Sequence, residues 1–282
     1  MTTPADDLLL LSRKLGDPAA DLVILGEGNT SADLGDGSFL VKASGCQLGN
    51  VQPENFVRLD GHAVRSLISD PTLDDHDIPA LQGRLRAASA VENPAMPSIE
   101  AMLHALALEL PGIDFVGHTH PVAMNVLLCS DRAEELVAGP LFPDQVVVCG
   151  LNNVLVPYAD PGLPLARAVQ TGLRDHLQAH GVPPKVIYLG NHGMVALGGS
   201  AREVLQITEM AVKAARVLHG VLTLGNSRRL SVEQAARLNS RPDEQYRRAV
   251  LAGANGIGAN GIGVNGTGGS GQPTPRQPER TS

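Results

Sequence analysis

The order of apolar patterns along the chain predicts a layered α/β domain. Short runs of aliphatic and β-branched residues alternate with segments of helical periodicity, and Gly, Pro, Asn and Ser gather at the junctions. No internal repeat interrupts the alternation.

The elements follow in order. Ala5 to Leu15 has helical spacing and stops near Gly16 and Pro18. Asp21 to Leu25 is a short apolar run leading into the polar loop GEGNTS, and Phe39 to Val41 reads as a second strand followed by KASGCQLG. Together they suggest a β-hairpin carrying two polar loops. Residues 72–96 are polar and Pro-punctuated, and LQGRLRAAS within them fits a strand or a short helix equally. From Ser98, as N-cap, IEAMLHALALEL is a helix that Pro111-Gly112 ends. Asp114 to His120 reads as a strand closed by Pro121, with VAMNVLLCS as the next helix. Val146–Val148 and Val154–Val156 are strand candidates, and residues 163–180 form an amphipathic helix. Lys185 to Leu189 is a strand that the loop GNHG interrupts before Met194 to Leu197 resumes it. Ser200 to Glu203 is a capping box that opens a helix to about Leu218.

Composition narrows the function classes. Residues 253–282, rich in Gly, Asn and Pro, have almost no large apolar side chains to offset the entropy of ordering them, so a disordered tail is expected. Residues 1–252 then form one domain. A net charge of -7 argues against nucleic-acid binding, which needs basic surface. No run approaches the roughly 20 apolar residues of a membrane span, and the N-terminus lacks the basic region and cleavage site of a signal peptide. Cys46, Cys129 and Cys149 are odd in number and far apart, which suggests neither a disulfide framework nor a thiolate metal site. A cytoplasmic enzyme fits these features. With no Trp and few other aromatics, polar groups and a metal must carry substrate recognition.

His118-Thr119-His120 is the sharpest local signal. Side chains two apart on a strand share a face, so both imidazoles can converge on one ion, although a lone pair of this kind also fits a polar rim. A third ligand must come from another strand end, and His192 is the best placed, at a break between two apolar runs where Gly193 lets the backbone pass closely. Glu100, in the first turn after Ser98, is explained on position alone by the helix dipole. His104, one turn on, can face the same cleft, but a satisfied buried histidine is the preferred reading. GEGNTS and KASG are candidate anion loops, yet neither fits the dinucleotide fingerprint.

Taken in this order, GNTS, KASG, PSIE, HTHP and NHG resemble the class II aldolase/adducin family over roughly residues 5–220. The resemblance implies a three-layer α/β/α domain around a mixed, largely antiparallel sheet, and commonly a tetramer. It makes His118, His120 and His192 ligands of Zn²⁺, with Mn²⁺ or Co²⁺ as other occupants, and Glu100 the acid/base residue. Gly28, Asn29, Ser44, Gly45 and Ser98 fall where the family's aldolases bind substrate phosphate. The implied partner is a small hydroxylated carbonyl compound, a sugar or sugar phosphate. Where the aldolases typically carry a second serine before the glutamate, this chain has Ile99, so one phosphate hydroxyl is missing. The epimerases usually carry Asp at position 100, so Glu100 points to an aldolase or a decarboxylase. Adducin-type members lack the metal ligands that this chain keeps. Tyr246 is the one C-terminal tyrosine that could match the tyrosine some aldolases draw from a neighbouring subunit.

Overall fold

The computed structural model describes residues 2–74, 76–90 and 95–251, so the expected tail at 253–282 lies outside the described residues. Seven strands form one sheet: β1 Asn29–Asp33, β2 Ser38–Lys42, β3 Phe56–Asp60, β4 Phe115–Thr119, β5 Val154–Val156, β6 Val186–Leu189 and β7 Gly193–Gly198. Their spatial order is β3-β2-β1-β4-β7-β6-β5. Every pairing is antiparallel except β5 with β6. The helices are α1 Pro4–Leu15, α2 Gly61–Ile68, α3 Ile78–Ala87, α4 Ala101–Leu108, α5 Val122–Leu128, α6 Pro143–Cys149, α7 Leu163–His180, α8 Ala201–Leu224, α9 Val232–Ser240 and α10 Pro242–Leu251.

The sheet is covered on both faces, which gives the α/β/α sandwich that the motif order implied. Val195 and Leu197 of β7 join side chains of α2, α3, α4 and α7 in one core, while Met194 and Ala196 join α1, α5 and α8 in the other. The period-2 alternation of β7 therefore feeds two separate apolar layers. Helix starts follow capping chemistry. Thr3 and Asp6 close a capping box at α1, and the Ser200 hydroxyl accepts from Glu203 N at α8.

Several local expectations shift. The run Asp21 to Leu25 is not a strand: Leu22 is buried, but Ile24 and Leu25 are 64% and 75% exposed. The strand is the polar segment Asn29–Asp33, which pairs with both β2 and β4 and buries small side chains that find partners inside. Ser12 Oγ, for example, lies 2.6 Å from Thr30 Oγ1. Val146–Val148 lies in α6 rather than a strand, because Pro143 opens a helix there and Asp144 stands in its first turn. LQGRLRAAS is largely helical, within α3. Ser98 is not the N-cap of α4, which starts three residues later, and α8 runs to Leu224 instead of stopping near Leu218. The segments either side of GNHG are two antiparallel strands, so that loop is a hairpin turn and not an interruption of one strand.

Candidate functional site

The site sits where β4 ends beside the β6–β7 turn. His118 pairs with Asn29 on one side and Val195 on the other, so its neighbours are fixed by register. His120 follows just beyond the strand on the same face, and His192 comes from the hairpin turn. Two glycines make this approach possible. A Cβ on Gly193 would lie 2.5 Å from the Thr119 carbonyl oxygen and 2.7 Å from the His120 ring, and one on Gly28 would lie 2.6 Å from the His118 carbonyl oxygen. Gly28 also has φ +67°, a left-handed conformation that costs glycine little.

The three imidazoles form a compact triangle, with ring centroids 4.7, 4.9 and 4.8 Å apart. Their candidate ligand atoms all lie within 4.8 Å of one another. His118 Nδ1 lies 2.9 Å from the Met194 carbonyl oxygen, which can only accept, so Nδ1 carries the proton and Nε2 faces the cluster bare. A backbone carbonyl on the far nitrogen is the usual support of a ligating histidine. Burial holds His118 below the ordinary imidazole pKa against the pull of Glu100, and holds His120 at about 3, with His118 and His192 adding to it. Neutral imidazoles are the form that binds a divalent ion, so the donor set fits one.

Glu100 closes the cluster. Its Oε1 lies 3.2 Å from His192 Nε2, and its Oε2 lies 3.6 Å from His118 Nε2. Burial alone would raise its pKa, but His118, His192 and the Asn29 amide outweigh that and hold it well below the usual carboxylate range. Glu100 occupies the cap position of α4 without making a side-chain capping bond, so the carboxylate is free to face the histidines. Ser98 Oγ accepts from Glu100 N at 3.2 Å and is 3.4 Å from Asn29 Nδ2.

Gly28, Asn29 and Ser98 are thus gathered around the cluster. Ser44 and Gly45 belong to an exposed loop whose backbone is tied to the segment before Ser98, with Ser44 N donating to the Met96 carbonyl and Ala43 bridging Pro97. Tyr246 is 68% exposed on α10. Ile99 reaches the apolar surroundings of Gly162, near Leu81 and Ile78.

Three further groups near the site lie within the motifs and loops but carry no role read from them. Lys42, the first residue of KASG, is 2% exposed and donates to the Ala43 and Cys46 carbonyls. Glu27 lies 3.9 Å from His120 Nδ1. Ser31 meets the buried His104 ring, whose i+4 spacing from Glu100 is the one available signal.

The family profile described as Class II Aldolase and Adducin N-terminal domain matches residues 6–219. The chain belongs to the class II aldolase/adducin family. Among its relatives, the uncharacterized oxidoreductase YuxG of Bacillus subtilis is 27% identical over 198 residues, which are 67% of this chain and 26% of that protein. The chain therefore spans about a quarter of that relative's length. The 3-oxo-tetronate 4-phosphate decarboxylase of Haemophilus influenzae is 26% identical over 194 residues, 68% of this chain and 76% of that enzyme. A solved L-fuculose 1-phosphate aldolase superposes with a TM-score of 0.63 at 19% identity, covering 86% of this chain and 96% of that one, a likeness that concerns the fold alone.

Proposed function

We propose that the chain is a divalent-metal-dependent aldolase that cleaves and forms a carbon–carbon bond in a small ketose or ketose phosphate through an enediolate. The observation that carries this reading is the convergence of three imidazoles with one ionised carboxylate, Glu100 Oε1 being 3.2 Å from His192 Nε2. His118, His120 and His192 would hold the ion, with zinc favoured and manganese or cobalt as other occupants. Such an ion supplies Lewis-acid polarisation of the substrate carbonyl and stabilises the negative charge that develops beside it.

The chain's own residues supply the proton chemistry. In the condensation direction, the Glu100 carboxylate takes a proton from the carbon next to the carbonyl. In the cleavage direction, the hydroxyl on the departing carbon gives its proton to solvent as the bond breaks and the aldehyde forms. Glu100 returns a proton to the carbon left beside the carbonyl, and condensation reverses both transfers. Gly28, Asn29, Ser44, Gly45 and Ser98 would orient the distal end of the substrate. Ile99 leaves that end one hydroxyl poorer, so free ketoses belong in any screen beside ketose 1-phosphates. We assign the protein to the cytoplasm and to a homo-oligomer, tetramer favoured. Among the described residues no helix is long and apolar enough to cross a membrane.

Decarboxylation of a 3-keto sugar acid is the second reading, favoured by the likeness to the H. influenzae decarboxylase. It needs the same stabilised charge but no aldehyde. The deciding experiment incubates metal-loaded protein with ketoses, ketose 1-phosphates and 3-keto sugar acids, with and without chelator. Chelator-sensitive release of a ketone and an aldehyde supports the aldolase. Release of CO₂ without a second carbonyl product selects the decarboxylase, and a protein that binds no metal and turns over nothing leaves an adducin-like interaction module.

A further inference from the structure

From Glu100 a buried hydrogen-bond chain runs back through Asn29 to His104 and Ser31, two groups to which the proposed chemistry gives no part. Ser31 Oγ lies 2.7 Å from His104 Nδ1, His104 Nε2 meets Asn29 Oδ1, and Asn29 Nδ2 donates to Glu100 Oε2 at 2.7 Å. Ser31 and His104 are fully buried, and Asn29 is 4% exposed.

The chemistry of the four groups fixes every proton in this chain. An ionised Glu100 can only accept, so Asn29 must turn its NH₂ to the carboxylate and its carbonyl oxygen to His104. That oxygen also only accepts, so His104 Nε2 carries the ring proton. Nδ1 is then bare and accepts the Ser31 hydroxyl. A neutral ring with one proton is also what burial favours, holding the His104 pKa at about 3. The chain is no path for protons, because a carboxamide stands between the imidazole and the carboxylate and a carboxamide gives up or takes on a proton only at great cost.

We propose that His104 is a positioning residue: its Nε2–H locks the Asn29 amide so that the NH₂, and not the carbonyl oxygen, faces Glu100. Without that lock the amide can rotate and set an oxygen against the carboxylate, displacing it from the histidine cluster. The lock also occupies the Asn29 carbonyl, so Asn29 can offer a substrate only an N–H. The proposal rests on the reading of Glu100 as acid/base residue.

Nitrogen-15 NMR of the full chain with labelled histidine, at about pH 7.5 and with and without zinc, reads the tautomer directly. The expected His104 signal is protonated at Nε2 and bare at Nδ1, assigned by its loss in His104→Gln. An Nδ1–H tautomer or an imidazolium would overturn the proposal. In kinetics, His104→Leu is expected to lower kcat about 10- to 100-fold, with a smaller rise in KM because Asn29 also faces the substrate. His104→Gln, which keeps an N–H for Asn29, should restore most of that loss. Equal losses in both variants would reassign His104 to packing alone. If His104→Leu does not fold, the wild-type tautomer still decides. If the wild type turns over no substrate, the aldolase reading fails separately while the lock is judged by the tautomer.

Discussion

Two groups at the histidine cluster, His118 and Glu100, have a neighbour that fixes their orientation. His118 gives its Nδ1 proton to the Met194 carbonyl, and Glu100 receives Asn29 Nδ2 at 2.7 Å. Glu100→Gln keeps the size of the side chain but cannot take up a proton. It is expected to retain metal and to lose turnover by about 10²- to 10⁴-fold, measured as kcat beside metal content. His104 makes a pH prediction of a different kind. Its folded pKa, about 3, lies below the roughly 6.5 of an unfolded imidazole, so the unfolded state binds the proton first. Its contribution to stability is complete above about pH 6.5 and is lost as the pH falls towards 3. Between about pH 7 and pH 5 the denaturation midpoint should therefore fall further in the wild type than in His104→Gln, and an equal fall would contradict the assignment. The histidines themselves were legible because H-x-H on a strand has a defined geometry. Glu100 was legible only through the motif order, since on position alone a carboxylate in a first turn resembles a dipole partner.

The elements that read correctly are those whose apolar periodicity decides their burial, such as α1 and α7. β1 misleads because its burial is set by pairing on both sides, and its small polar side chains are satisfied by Ser12 of α1 and His104 of α4. Local hydrophobicity pointed instead to the preceding run, where Ile24 and Leu25 face outward. The Val146–Val148 segment shows the converse, β-branched residues held in a helix by Pro143 at its start and by burial of Val146 and Val147. The loop after β2 depends on a charge. The Lys42 ammonium is buried, with its pKa lowered by that burial against the opposing pull of Cys46 and Glu100, and it holds the Ala43 and Cys46 carbonyls. Lys42→Met leaves both carbonyls without that donor and should cost about 1–3 kcal/mol of stability in chemical denaturation. It should also raise KM, because Ser44 and Gly45 lose their anchor. Unchanged stability and KM would remove this role.

Across the molecule, the sheet order brings β1, β4 and β7 together at its centre, so Asn29, His118 and the turn bearing His192 converge although they are far apart in sequence. Motif order implied this architecture, but pairing register is a through-space property that no single segment reveals. Leu10, Ile24 and Leu25 are exposed around a cavity of about 570 Å³ beside α1. Apolar side chains gathered in one place are a feature of association surfaces, and light scattering of the full chain is expected to give the mass of a homo-oligomer, a tetramer in the reading preferred above. A monomer at micromolar concentration would oppose it. The central claim, that three histidines form a metal centre, is tested most directly by elemental analysis of purified wild type and His118→Ala after equilibration with zinc. About one ion per chain in the wild type and strong loss in the variant is the expected result. A wild type that takes up no divalent ion, or a variant that binds as well as the wild type, would contradict the account.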